Sequence, residues 1–143
     1  MHWFQSSLAS SRACRSVAFL TFALSLSACN NSAGPPAPQG ISVVSGDNQF
    51  AVVGSAPANP LVALVVDDNG SPFAGATVTW IVTGGGGTVS DSTSTSDATG
   101  HASIRYTAGA FPGVATVVAI VSQVWTASFT VHIEASSNGT RVP

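Results

Sequence analysis

The sequence predicts an all-β fold, a single β-sandwich of seven to eight short strands without a disulfide. Three observations lead there. Val, Thr, Ser, Ala and Gly dominate a chain of 143 residues of which only 7% are charged, a mixture that favours strands and turns over helices. From Ile41 onward, short β-type runs alternate with turn signals at the spacing of a sandwich or barrel. The two cysteines, Cys14 and Cys29, sit so that removal of a leader ahead of Cys29 would leave one thiol and no pair to close.

The elements follow in order. Arg12 and Arg15 precede the apolar run Val17–Leu24, which reads as the basic and apolar regions of a secretory signal. That run is shorter than the roughly 20 apolar residues that span a bilayer. It ends in Leu26-Ser27-Ala28-Cys29, which resembles the lipobox of bacterial lipoproteins. The resemblance implies cleavage between Ala28 and Cys29, a diacylglyceryl thioether on Cys29 and an acyl group on its freed amine. Several chains, each contributing about 0.8 kcal/mol per buried methylene, anchor stably where one chain would be marginal. Asn30 follows, not the aspartate associated with inner-membrane retention in enteric-type lipoproteins, so an outer-membrane address is favoured if the cell has an outer membrane. Residues 1–28 are thus expected to be a signal peptide. Residues 29–39, including "NNSAGPPAPQ", read as a proline-rich tether extending about 3.1 Å per residue. Residues 40–135 form the domain, and 136–143 a loose tail.

The expected strands are Ile41–Ser45, Gln49–Val53, Leu61–Asp67, Ala76–Thr83, Thr88–Ser90, His101–Thr107, Val114–Val121 and Trp125–Glu134. Asp67-Asp68-Asn69-Gly70 and Asp97-Ala98-Thr99-Gly100 combine a side chain that bonds its own turn with a glycine tolerant of positive φ, which suits tight reversals. Gly84–Gly87 makes a flexible corner; without a following Lys-Ser/Thr and helix it is a poor phosphate loop. Alternation assigns Val78, Trp80 and Val82, Ala102, Ile104 and Tyr106, Val117, Ala119 and Val121, and Ala127, Phe129, Val131 and Ile133 to a dry inter-sheet face.

The stretches "ISVVSGDNQFAVVGSAPANPLVALVVDDNGSPFAGATVTWIVTGGGGTVS", "TSTSDATGHASIRYTAG" and "GVATVVAIVSQVWTASFTV" together resemble a bacterial immunoglobulin-like domain of group one, the repeat of invasins and intimins. The resemblance covers Gly40 to Ala135. It implies an immunoglobulin-type sandwich in which Trp80 is the core aromatic of the third strand. It carries over no receptor-binding residue, because such folds are scaffolds for unrelated sites.

Chemistry is sparse. Residues 29–143 hold Arg105 and Arg141 against Asp47, Asp67, Asp68, Asp91, Asp97 and Glu134, with no lysine and a formal charge of −4, so a basic face for nucleic acid is lacking. His101 and His132 fall on outward parities, and no enzyme activity is expected. Asp67, Asp68, Asp91 and Asp97 raise a calcium question, against which turn capping is the simpler reading; no metal or cofactor is expected. Asn138-Gly139-Thr140 matches a glycosylation sequon. One feature exceeds an ordinary wet face: on Leu61–Asp67 the outward residues Val62, Leu64 and Val66 are apolar too, and monomers seldom keep large exposed apolar patches. This ridge is the candidate contact surface for a second copy or an envelope protein. The expected role is therefore a lipid-anchored cell-envelope protein that displays one domain for adhesion or protein contact, held to the membrane through Cys29. A carbohydrate-binding module would need Trp125 and Phe111 to share a platform. A cryptic hydrolase would need His101 or His132 brought onto an acid.

Overall fold

The computed structural model describes residues 34–137. Cys29, the expected signal and most of the expected tether lie outside the described residues, as do residues 138–143.

Among the described residues ten strands follow one another: β1 (Gly40–Ser45), β2 (Gln49–Val52), β3 (Leu61–Val66), β4 (Thr77–Gly84), β5 (Thr88–Val89), β6 (Thr93–Thr95), β7 (His101–Ile104), β8 (Tyr106–Thr107), β9 (Gly113–Val121) and β10 (Trp125–Glu134). They form a three-stranded sheet in the order β1-β3-β7, a five-stranded sheet in the order β2-β10-β9-β4-β6, and a small pair β5-β8. Two features raise the count above seven to eight. The polar run at β6 pairs with β4, although Thr-Ser-Thr carries no apolar alternation. The expected strand His101–Thr107 divides at Arg105, because β7 pairs with β3 while β8 pairs with β5.

The first strand is shared between the sheets. β1 lies antiparallel to β3, the chain turns through Gly46 and Asn48 at positive φ, and β2 runs parallel to β10. Asp47 in that turn accepts the backbone N–H of Thr130 at 2.7 Å, so its carboxylate stands where a strand carbonyl would. Gln49 bonds the carbonyls of Gly46 and Asn59 and the N–H of Asn59 at 2.8–2.9 Å. These side chains close the seam without a disulfide.

Leu61, Ala63, Val65, Val78, Ala115, Val117, Ala119, Phe129 and Val131 are fully buried, as are all but 1–2% of Trp80, Tyr106 and Val121. The faces read from alternation are therefore the inner faces, and Val82 packs against the core half-buried. Trp80 lies against Phe129 with ring centroids 5.6 Å apart, and its indole N–H donates to Ser94 Oγ at 2.8 Å. Buried Ser96 accepts the N–H of Ala76 and donates to the carbonyl of Phe73 at 2.9 and 2.7 Å.

The glycine corner is packed and held. The Tyr106 hydroxyl donates to the carbonyl of Gly86 at 2.5 Å, and burial pushes its phenol above the usual value, so it stays a donor. Gly85 has φ +74°, and a Cβ there would run into the backbone of Val114 and Ala115.

The sandwich has two poles. At the near pole, β9 turns into β10 with Val121 opposite Trp125, β4 starts with Val78 opposite Val121, and Gly40 stands opposite Val66. At the far pole, Gly113 stands opposite Ile133, and Val52 stands opposite Glu134.

Candidate contact faces

The ridge on β3 keeps its expected direction. Leu61, Ala63 and Val65 point inward and Val62, Leu64 and Val66 outward, but each of the outward three is only half-exposed. β3 is the central strand of its sheet, so its neighbours shelter it. Gly40 lies against Val66 and Gly100 against Leu64, and Pro72 forms a bridge with Val66. Opposite Val62 and Leu64 stand the small residues Ser45, Ser103 and Ser42, with His101 beside Leu64.

A more open apolar set lies on the outer face of the five-stranded sheet. Register places Phe50, His132 and Val114 side by side across β2, β10 and β9. Phe50 is 63% exposed and Val114 53%, with Val52 at 41% two residues along β2. The imidazole of His132 stacks on the Phe50 ring at 5.0 Å with planes 25° apart. Phe111, 80% exposed, precedes β9 at the same far pole, where its loop is tied down by the Gly54 N–H on the carbonyl of Gly109 at 3.1 Å. An aromatic and aliphatic set of this exposure is what a partner surface desolvates most favourably.

The other sequence candidates separate. Trp125 stands opposite Val121 at the near pole, whereas Phe111 sits beyond Gly113, the partner of Ile133. Eight residue steps of β10 separate those levels, or roughly 27 Å at strand rise, so the two rings share no flat platform. His101 Nδ1 lies 2.8 Å from the Thr99 hydroxyl, but that hydroxyl bonds Asp97 Oδ1 at 2.7 Å. With its proton directed at the carboxylate, the hydroxyl receives the imidazole N–H and is not activated by it.

The aspartates serve their turns. Asp67 Oδ1 accepts the N–H groups of Asn69 and Ser71 at 2.9 Å. Asp97 Oδ1 accepts those of Thr99 and His101 at 2.8 and 3.0 Å. Among the described residues no three His, Cys, Asp or Glu are placed to hold a metal ion. The Thr99 side chain, then the His101 and Thr99 amides, hold the Asp97 carboxyl below its ordinary value of 3.8. A carboxylate held down in the folded state stabilises above its unfolded pKa and loses that contribution as pH falls through the folded value. The melting temperature should therefore decline as the medium is acidified below about pH 3.8. Asp97→Asn, which keeps an acceptor but cannot titrate, should show a shallower acid decline in a calorimetric pH series.

Residues 41–139 match the family model described as bacterial Ig-like domain, group 1. Among solved structures, a C-terminal 282-residue fragment of intimin in complex with the intimin-binding domain of the translocated intimin receptor is similar at 25% identity and a TM-score of 0.53, over 64% of this chain and 32% of that one. Domains 4–9 of the surface layer protein SbsC are similar at 18% identity and a TM-score of 0.53, over 76% of this chain and 15% of that one. The Escherichia coli adhesin FdeC is similar at 21% identity and a TM-score of 0.48, over 64% and 29%. The chain thus spans about a third or less of these solved chains. No curated protein matches.

Proposed function

Because this chain belongs to the bacterial Ig-like domain family, group 1, we propose that it is a non-enzymatic cell-envelope lipoprotein that displays one Ig-like domain to contact another protein. The observation that carries the reading is the Phe50–His132–Val114 strip on the outer face of the five-stranded sheet, with Phe111 at its pole. It supports a contact role because a rigid sandwich presents these side chains without an ordering cost, and their burial removes apolar area at about 25 cal/mol per Å². The solved intimin fragment, at 25% identity, is bound to a protein receptor domain, which supports the same class of partner here. The half-exposed ridge of Val62, Leu64 and Val66 is the second surface on which such a partner could rest.

The lipobox resemblance supports a signal peptide over residues 1–28, a lipid on Cys29 and a short tether to Gly40. Asn30 supports an outer-membrane address in a cell that has an outer membrane. The low positive charge, two arginines and no lysine after Cys29, argues against nucleic acid as partner.

Photo-cross-linking in living cells tests the contact. A photoreactive side chain placed at Val114 should give one discrete adduct with another polypeptide, and the same group at the exposed edge residue Ser103 should give none. An adduct from Leu64 alone would move the contact to the β3 ridge. Equal labelling from Val114 and Ser103, or labelling from neither, would contradict a specific contact face.

A further inference from the structure

We infer that the β9–β10 hairpin tip, Val124 with Trp125, is a lipid-contacting element that dips into the interface of the membrane to which Cys29 is anchored; this rests on the lipid anchor proposed above. Val124 is 71% exposed and Trp125 40%, and they are consecutive at the end of the molecule where β9 turns into β10. No charged side chain occurs between Arg105 and His132, so the tip carries nothing that strongly resists leaving water. Trp is the residue whose flat, amphipathic ring settles at the headgroup level.

Position makes lipid the occupant. A groove of about 410 Å³ at the near pole is lined by Pro38 together with Phe73, Ser122 and Gln123, so the chain at Pro38 runs beside the turn of this hairpin. Pro38 is nine residue steps from Cys29, a reach of roughly 28 Å at about 3.1 Å per step. A short tether of this kind holds the tip at an effective concentration in the millimolar range relative to the bilayer surface, so even weak affinity keeps it engaged.

The backbone of the tip breaks its own local rule. In the three-residue turn between Val121 and Trp125, Ser122 and Gln123 stand at φ 52° and 59°, successive positive values that tight hairpin turns normally assign to Asn-Gly. Departures of this sort concentrate at functional positions. At the same pole the turn holding Asp67 and Asp68 follows β3 of the other sheet, and Asp97 lies where the chain crosses from β6 to β7 between the sheets. Their charges stay in water, which tilts the domain onto the hairpin and favours a zwitterionic surface over an anionic one.

The test uses the full chain purified from membranes and reconstituted in phosphatidylcholine vesicles, with and without acyl-brominated lipid as quencher. Of the three tryptophans, Trp3 leaves with the expected signal peptide when the chain is cleaved before Cys29, and Trp80 is 2% exposed and shielded within the core, so in the lipid-bearing protein emission lost to brominated lipid reports on Trp125. The wild type should lose at least a third of its emission, Trp125→Phe should lose almost none, and Val124→Asp should be quenched much less than the wild type. Lipid-bearing, vesicle-bound wild type whose emission is the same in both lipids would overturn the inference and leave the anchor standing. Protein that carries no lipid mass and stays off the vesicles would overturn the anchor itself, and the inference with it.

Discussion

Trp80→Ala should destabilise the domain by about 3–5 kcal/mol, the range for emptying a large aromatic from a packed core. The side chain is 2% exposed, so truncation leaves a cavity walled by both sheets. It also removes the partner of Phe129 and the donor to Ser94 Oγ. Against a total stability of about 5–15 kcal/mol for a domain of this kind, the variant should melt at least about 12 °C lower or fail to fold. Trp80→Phe should cost less, because the ring volume largely survives and only the indole hydrogen bond is lost, about 1 kcal/mol. Thermal melts of the segment from Gly40 to Ala135 check both variants. An alanine variant melting within a few degrees of the wild type would contradict the position of Trp80 between the sheets.

Gly85→Ala should be almost as damaging for a different reason. Its φ of +74° lies in the left-handed region, where a side chain costs about 1–2 kcal/mol. Its Cβ would meet the carbonyl of Val114 and the Cα of Ala115. Those obstacles are backbone of β9 and cannot rotate aside, so relief requires moving a central strand, at a further 1–3 kcal/mol or so. The sum, about 2–5 kcal/mol, should appear as a fall of about 8 °C or more in the melt. Gly54→Ala is the matched control, since its φ is also positive but no atom stands within 4 Å of the added carbon. It should lose only the conformational part. Equal losses at the two positions would mean that the corner is not packed against β9.

The interior was readable in the sequence because it depends on parity alone. Leu61, Ala63 and Val65, or Ala127, Phe129, Val131 and Ile133, alternate cleanly and lie inward. The limits of β10 agree to the residue. What escaped depends on long-range pairing. Thr93–Thr95 offers no apolar alternation; it becomes a strand because β4 is beside it, and its Ser94 answers the indole of Trp80. The strand breaks at Arg105 because the chain leaves β3 for β5 at that point.

The open apolar strip was harder still to read. β2 is four residues long, and it places small Ala51 inside while large Phe50 and Val52 face out, the reverse of what side-chain size suggests. A partial signal was present, since β9 has Val114, Val118 and Ile120 on its wet parity, just as β3 has its ridge. Only the register of β2 with β10, and of β10 with β9, assembles Phe50, His132 and Val114 into one surface. The ridge itself was legible in direction but not in exposure, because parity does not reveal that β3 is the central strand of its sheet.

The central claim, a contact domain held at the envelope by lipid, is tested most directly by the intact mass and N-terminal sequence of the protein recovered from cell membranes. The account predicts a chain that begins at Cys29, carries the mass of a diacylglyceryl group plus an N-acyl chain, and passes to the soluble fraction as a Cys29→Ala variant. An unmodified wild-type chain in the soluble fraction, or a membrane-bound chain whose first residue is not Cys29, would contradict it.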